Sequence, residues 1–268
     1  MASRLLGVAP ELAVEIVRCP VLALCVADGG EALPCHEVAA GPGGPHRVRW
    51  IPEPWVGHLT EAPLLLVSSN PAGGDPITDP QDLSRDWPDD ALLDWADGAF
   101  DQGQFQGVAD GAHLVDRQGK RGKWVHYWGW VKTCAKEILP QLVVPGQGYA
   151  LTEVVHCGSP SEKGVRAALK TCTSRYLERV LAASPAQVVV AVGAIARFAF
   201  QTCLHQEAPD HLLGPVEVAG KKRLLVVVPH PNSRGGNLPL SRHLEQDQGE
   251  GLRQAVAGWA RVPGRRPR

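Results

Sequence analysis

The chain has 268 residues, of which 44% are hydrophobic and 21% are charged, and its formal net charge is -1 at pH 7. This length suits one large domain or two small ones with a substantial core, and the composition excludes an intrinsically disordered protein. With so little net charge, any binding to nucleic acid must depend on a local basic patch. No apolar run approaches the roughly 18 residues of a membrane span. The apolar stretch at 12–26 lacks a cleavage-site pattern, so we expect neither a membrane anchor nor a signal peptide.

The seven cysteines are odd in number and irregularly spaced. This usage favours a reducing compartment over a disulfide framework. We therefore expect a cytoplasmic protein, and we expect it to act as a monomer.

Apolar runs typical of strands alternate with segments typical of helices through most of the chain. A helix is expected over 11–25, followed by glycine- and proline-rich loops. Strands are then expected over 64–68, 149–155, 187–192 and 224–228, and helices over 88–100, 124–139, 165–183, 193–204 and 241–260. This alternation predicts an α/β fold, a three-layer αβα sandwich with a central four-stranded parallel sheet. We divide the chain into an N-terminal extension packed on the domain (1–60), the domain itself (61–260) and a basic tail (261–268).

Two of the predicted strands stop on loops that each carry one polar side chain. The strand at 64–68 leads into Ser-Asn-Pro-Ala-Gly-Gly at 69–74, and the strand at 224–228 leads into Pro-His-Pro-Asn-Ser-Arg at 229–234. Short, nearly continuous apolar runs are typical of parallel strands covered on both faces, and ligands of open α/β sheets bind at the carboxyl ends of such strands. We therefore expect Asn70 and His230 to meet at one active site. Alone, each motif would be an ordinary turn or a surface histidine.

Together the two loops resemble the signature motifs of the uracil-DNA glycosylase superfamily. The first family motif is Gly-X-(Asp/Asn/Ala)-Pro-Gly after a strand, and this chain has Ser-Ser-Asn-Pro-Ala at 68–72, with serine in place of the first glycine. The last is His-Pro-Ser before a loop that enters the minor groove. Here it reads His-Pro-Asn-Ser at 230–233, with an asparagine inserted.

A central segment is similar to the iron–sulfur branch of that superfamily. The branch has a strand that reads Asn-Val-Val-Lys-Cys-Arg-Pro-Pro, and this chain has Glu-Val-Val-His-Cys-Gly-Ser-Pro at 153–160. With the cysteine, tyrosine and Val-rich run that follow, the likeness covers residues 60–260.

The resemblance leaves the role of the cysteines open. In the iron–sulfur branch, two cysteines near the N-terminus join two that correspond to Cys157 and Cys172 around a cluster. This chain lacks the usual Cys-X-X-Cys pair, so two of Cys19, Cys25 and Cys35 either complete a cluster or are buried free thiols. We expect no other metal.

The resemblance implies a monofunctional DNA glycosylase that flips a base out of the duplex and hydrolyses its N-glycosidic bond. The side-chain carbonyl of Asn70 would orient the attacking water, and His230 would hydrogen-bond the 2-carbonyl oxygen of the departing base. The mechanism needs no lysine nucleophile, so we expect no lyase activity. DNA is the expected partner, contacted at the flipped site by Asn232, Ser233, Arg234, Gly235, Asn237 and Leu238.

The choice of base depends on the pocket, for which the resemblance indicates Ser69, Pro71, Ala72, Gly73, Glu153 and His156. A carboxylate at Glu153, where the relatives have asparagine, would accept from the exocyclic amine of cytosine. Ala72 and Gly73 leave room at the ring 5-position, where uracil-specific relatives place an aromatic residue. These features predict a 5-modified cytosine, such as those of some phage DNA, and a role in antiviral defence.

Alternatives stay open at this point. The enzyme could remove uracil in DNA repair, or the chain could be a catalytically inactive module that binds nucleic acid. Glu153 could instead form an ion pair with Lys163 or Arg166. Trp87 or Phe105 could stack on the flipped base.

Overall fold

An α/β fold with a mixed five-stranded sheet is the main feature of the computed structural model. The structure describes residues 2–25, 30–40, 52–71, 87–98, 107–115, 120–139, 144–204 and 212–257. Its strands are β1 (Leu64–Ser68), β2 (Gly107–Ala109), β3 (His113–Val115), β4 (Arg121–Trp124), β5 (Tyr149–Glu153), β6 (Val188–Val192), β7 (Leu212–Val218) and β8 (Lys221–Val228). Its helices are α1 (Ala2–Val17), α2 (Pro20–Cys25), α3 (His36–Ala40), α4 (Asp89–Gly98), α5 (His126–Ile138), α6 (Val165–Cys172), α7 (Glu178–Ala183), α8 (Gly193–Leu204) and α9 (Gln246–Ala257). Within the described ranges, no helix combines the length and apolar character that a bilayer crossing requires.

The sheet has the order β5-β1-β6-β8-β7, and its first four strands are parallel. These four are the strands that the sequence predicts. The sequence does not predict β7, which pairs antiparallel with β8 through a two-residue turn at Ala219 and Gly220, both with positive φ. Because β8 begins with Lys221, Lys222 and Arg223, the hairpin lacks the apolar run that marks the other strands.

Alternate residues of the strands point to opposite faces of the sheet, and each face packs against its own helices. The face toward α1, α6, α7 and α8, here the α1 face, carries Leu65, Val67, Ala150, Val189, Ala191, Leu225 and Val227. The face toward α5 and α9, here the α5 face, carries Leu64, Leu66, Leu151, Val188, Val190, Val226 and Val228. Ser68 and Glu153 end β1 and β5 in register with each other. By alternation, both belong to the α5 face.

The helix expected over 11–25 is two helices, α1 and α2. The second begins at Pro20, whose missing N–H suits the first position of a helix and not the continuation of α1. Leu12, Ile16 and Leu22 are buried in the same core as the α1 face of the sheet. The N-terminal helices therefore help to support the sheet.

A small antiparallel sheet of order β2-β3-β4 precedes α5 and is not predicted from the sequence. Trp124, expected in a helix, ends β4, and α5 begins at His126. The other predicted helices are confirmed with shifted ends, except that the one over 165–183 is interrupted by a π-helical turn at Thr173–Leu177.

Candidate active site

A cleft of about 660 Å³ is lined by residues that follow the carboxyl ends of the parallel strands. Asn70, just beyond β1, and His230, just beyond β8, both line it, and β6 lies between their strands. Gly193, the first residue after β6, has a φ of 87°, and a Cβ there would lie 3.2 Å from the Cβ of His230. Glycine is therefore required here both for the turn and for the close approach of His230. The two residues that the sequence singled out line the same cleft.

The side-chain amide of Asn70 is held in one orientation. Its Nδ2 donates to the carbonyl oxygens of Pro71 and Ser159 at 2.7 and 3.1 Å. Its Oδ1 accepts from the Ser69 hydroxyl at 3.3 Å. Rotating the amide by half a turn would place its oxygen against two carbonyl oxygens, which is unfavourable. The second lone pair of Oδ1 can therefore accept from a water or ligand in the cleft.

Hydrogen bonding defines the tautomer of His230. The backbone N–H of Asn232 donates to Nδ1 at 3.2 Å, so the neutral ring carries its proton on Nε2. Burial lowers the pKa of His230, while the nearby Glu162 carboxylate opposes this shift. At neutral pH the ring is therefore an uncharged N–H donor.

Tyr127 contacts His230, a residue of the cleft, and the sequence analysis did not single it out. Its ring stacks on that of His230 with centroids 5.7 Å apart and planes at 16°. Its hydroxyl lies near Ser68 and Glu153. In the sequence, Tyr127 is one of four aromatic residues at nearly helical spacing, a pattern more typical of core packing, and nothing in that pattern distinguishes it.

Glu153 is nearly inaccessible, with 7% of its surface exposed, and neither it nor Pro71 is among the described residues that line the cleft. Its Oε2 has no hydrogen-bond partner, and among the described residues it forms no ion pair. The alternative ion pair is not formed, since Lys163 lies 3.8 Å from Glu37 and Arg166 lines the cleft. Burial and, second, repulsion from Glu53 raise the pKa of Glu153 well above its ordinary value. These surroundings favour a neutral acid where the sequence predicts an acceptor-only carboxylate.

The other expected pocket residues divide between two places. Ser69 lines the cleft, and the carbonyl of Pro71 holds the amide of Asn70. His156 is instead buried and packs edge-on against Tyr176, which belongs to the core on the α1 face. The structure therefore does not bring His156 to the cleft.

Three expected residues, Ala72, Gly73 and Phe105, lie outside the described residues. Trp87, the other candidate for stacking on a base, packs against Val17 and Leu92. Within the described ranges, Tyr127 is the aromatic residue that contacts His230.

The loop after His230 has a fixed base and an exposed tip. Its exposed residues include the six predicted to contact DNA: Asn232, Ser233, Arg234, Gly235, Asn237 and Leu238. The Ser233 hydroxyl donates to the carbonyl of His230 at 2.6 Å, and the Trp130 indole donates to the carbonyl of Leu238 at 3.0 Å. A Cβ at Gly236 would lie 1.9 Å from the carbonyl oxygen of His230, so this turn admits only glycine.

Five cysteines converge in the core on the α1 face: Cys19, Cys25, Cys35, Cys157 and Cys172. None of them forms a disulfide. Burial first, and then the neighbouring thiols, raise the pKa of Cys35 and of Cys172 to about 12. In the described ranges, no three His, Cys, Asp or Glu side chains are close enough to hold a single metal ion. An iron–sulfur cluster is a larger centre held by four thiolates, and these five thiols provide that donor set in kind and number.

Comparison of the sequence with protein-family models and with curated proteins finds no match in either case. What the protein does must therefore be inferred from the residues of the cleft.

Proposed function

We propose that the protein is a DNA glycosylase of the uracil-DNA glycosylase type, which hydrolyses the N-glycosidic bond of a flipped, non-standard pyrimidine and leaves an abasic site. One observation carries this proposal: an oriented acceptor, Asn70 Oδ1, and a neutral donor, His230 Nε2, line the same cleft. Binding alone would need neither group. The flipped base costs about a few kcal/mol in unstacking and unpairing, which the contacts of the cleft must offset.

Asn70 positions the attacking water. An amide is no base near neutral pH, so Oδ1 accepts a hydrogen bond from the water without removing its proton. Bond breaking builds positive charge on the sugar, which makes a neutral, oriented water a sufficient nucleophile. The hydrogen bonds to Pro71 and Ser159 fix the amide before the substrate arrives.

His230 stabilises the departing base. Negative charge develops on the base, and the Nε2–H group of a neutral imidazole donates to the 2-carbonyl oxygen. A preorganised donor of this kind typically contributes about 2.7–4 kcal/mol to transition-state stabilisation. Stacking on Tyr127 and the hydrogen bond from Asn232 hold the ring in place.

DNA would lie across the mouth of the cleft. The exposed loop at 232–238 follows His230 directly, and Leu238 in it is 40% exposed. This supports the proposal that Arg234 neutralises a phosphate and that Leu238 fills the gap in the stack. Arg166 and Arg197 also line the cleft, as does the N-terminal turn of α8, and these groups suit a second phosphate.

For the base, a 5-modified cytosine is our first choice and uracil the second. The small residues Ala72 and Gly73 favour a base with a bulky 5-substituent, as in some phage DNA, and hence a role in defence. A neutral Glu153 presents both a donor and an acceptor, which suits the edge of uracil as well as that of cytosine. This favours keeping uracil removal in DNA repair as the second candidate.

The proposal extends to the fold and to a cofactor. Helices against both faces of the sheet support a three-layer αβα sandwich. The five converging thiols support an iron–sulfur cluster held by Cys157, Cys172 and two of Cys19, Cys25 and Cys35. When bound, the cluster would supply a covalent link between the N-terminal helices and the segment after β5.

A panel of oligonucleotides tests the proposal. Each strand carries one candidate base (uracil, cytosine, 5-hydroxymethylcytosine or a glucosylated 5-hydroxymethylcytosine), and alkali after incubation cleaves the strand wherever a base has been removed. We expect alkali-dependent cleavage at the modified cytosine. Cleavage at uracil alone would favour the repair enzyme, and binding without cleavage of any strand would favour an inactive module.

A further inference from the structure

Glu153 is a buried acid at the cleft end of the sheet. Glu153 is not itself among the described residues that line the cleft. It is paired in register with Ser68, and the next two residues of that chain segment, Ser69 and Asn70, do line the cleft. Its Oε2 has no hydrogen-bond partner although the side chain is more than nine-tenths buried. An unpartnered acid in such a place is costly unless it serves a ligand.

A second acid, Glu53, is held next to it. The N–H of Glu53 donates to the carbonyl of His156 at 2.9 Å, and the Thr152 hydroxyl donates to the carbonyl of Pro54 at 2.8 Å. These bonds fix the segment that carries Glu53 alongside β5. The two carboxyl groups are close enough to influence each other's ionisation.

Among the described residues, the groups around this pair supply no compensating positive charge, and neither acid forms an ion pair. Tyr127 from α5 lies near Glu153, and the ring of His156 is hydrogen-bonded to the backbone carbonyl of Glu53. Burial raises the pKa of Tyr127, so this residue is neutral near pH 7. Burial also raises the pKa of Glu53 to about 7, and Glu153 is shifted in the same direction. Both shifts favour a proton on the pair at neutral pH.

We propose that Glu53 and Glu153 form a proton-sharing carboxyl pair, from which Glu153 delivers a proton to ring N3 of a cytosine-type base as that base leaves. The proposal depends on the glycosylase function and adds a general acid to it. Glu153 is then a catalytic residue, and Glu53 is a positioning residue that keeps the proton on the pair.

Atoms and charges are conserved in this proton transfer. The O–H bond of Glu153 breaks and an N3–H bond forms, while the electron pair of the breaking C1′–N1 bond moves onto the base, which leaves as a neutral molecule. The water held by Asn70 adds to C1′ through its oxygen and releases one proton to solvent. The pair then regains one proton from solvent, so the products are the free base and an abasic sugar.

A cytosine-type base is the substrate for which this acid matters. Its N3 has a free lone pair, whereas N3 of uracil already carries hydrogen. With uracil, a neutral Glu153 can form hydrogen bonds but cannot place a proton on N3. The cytosine ring, with its electron-donating amine, is also the poorer leaving group and gains more from protonation.

The kinetic test measures excision from oligonucleotides that carry 5-hydroxymethylcytosine or uracil, between pH 5 and pH 9. For modified cytosine, we expect the wild-type rate to fall as pH rises through the ionisation of the pair. Glu153→Gln keeps a donor and an acceptor but has no proton to give. It should lower kcat about 100-fold or more, within the usual range for general acid catalysis, and leave KM within a few-fold. Glu53→Gln removes the carboxyl group that repels the Glu153 anion and so lowers the pKa of Glu153. The fall in rate on the alkaline side of the pH–rate profile should therefore begin at lower pH.

The matched control is Glu217→Gln, an exposed position on β7 at the opposite edge of the sheet, which should change neither rate nor pH profile. Thermal unfolding of each variant establishes that it is folded. If Glu153→Gln does not fold, the pH–rate profile of Glu53→Gln tests the proposal instead, because its alkaline fall in rate should begin at lower pH than in the wild-type protein. A Glu153→Gln enzyme with the wild-type rate and pH profile on modified cytosine would overturn the proposal and leave the glycosylase function standing.

Infrared spectroscopy gives a measurement that does not require activity. We expect the carbonyl band of a protonated carboxyl group at pH 7 in the wild-type protein and in Glu217→Gln, and its loss when both acids are replaced in the double variant Glu53→Gln, Glu153→Gln. Absence of the band in the wild-type protein would overturn the shared proton whether or not a base is excised. A wild-type protein that has the band but excises no pyrimidine would overturn the glycosylase function, and proton delivery with it.

Discussion

The two strand ends that meet at the cleft differ in how they hold their polar side chain. Beyond β1, Asn70 is fixed by interior hydrogen bonds to Ser69, Pro71 and Ser159. Beyond β8, His230 is fixed by one backbone hydrogen bond and by stacking on Tyr127, and the loop that follows it is exposed. The side chain after β1 is thus a fixed acceptor. The side chain after β8 is a fixed donor, and it is followed by an exposed loop that can contact a large ligand. Substitutions should therefore divide into those that change rate and those that change binding.

Removal of either side chain to which we assign a catalytic role should have the largest effect. In Asn70→Ala the water loses its acceptor, and in His230→Ala the departing base loses its donor. We expect each to lower the single-turnover excision rate about 10²–10³-fold, as removal of a preorganised polar group does. DNA affinity and melting temperature should change little, because neither side chain fills the core. An Asn70→Ala enzyme with full activity would show that the end of β1 is merely a turn.

Replacement of Gly236, which lets the loop turn back on His230, should have the next largest effect. In Gly236→Ala the new Cβ would collide with the carbonyl of His230, so the loop must shift. We expect a loss of about 1–3 kcal/mol in the free energy of unfolding, together with weaker DNA binding. Gly251→Ala is the matched control, since a Cβ there meets nothing within 4 Å and the residue lies in α9. Equal behaviour of the two variants in denaturant melts would contradict the proposed packing of the loop.

Stacking of Tyr127 on His230 should have a smaller effect. Aromatic pairs contribute about 0.5–1.5 kcal/mol beyond their buried area, which corresponds to a change of several-fold in rate. We expect Tyr127→Ala to slow excision by about that factor, while Tyr127→Phe, which keeps the stack, stays near the wild-type rate. A large loss in Tyr127→Phe would instead assign the role to the hydroxyl near Ser68 and Glu153.

The smallest effect is expected at the tip of the loop. Arg234→Ala should weaken DNA binding and reduce the slope of log K against log salt by about 0.9, the value for one phosphate contact with duplex DNA. The rate at saturating enzyme should be unchanged. Lys222→Ala, exposed on β8 away from the cleft, is the control. An unaltered salt slope in Arg234→Ala would mean that the loop tip faces away from DNA.

The sequence predicts those parts of the molecule that depend on local pattern. The four parallel strands are apolar runs, and Asn70 and His230 follow two of them, so their meeting at one edge could be foreseen. Tyr127 could not, because its stack on His230 joins residues about a hundred positions apart. The raised pKa of Glu153 depends on burial and on Glu53, which no motif encodes. The β7–β8 hairpin was missed for a simpler reason, since charged residues interrupt its apolar pattern.

The central claim is that this protein hydrolyses a glycosidic bond with a water held by Asn70. The most direct measurement is mass spectrometry of both products after incubation with modified-cytosine DNA. The account predicts free base in solution and an intact abasic strand, both formed by the wild-type protein and nearly absent with Asn70→Ala. A strand that is cleaved without alkali, or equal product from Asn70→Ala, would contradict it.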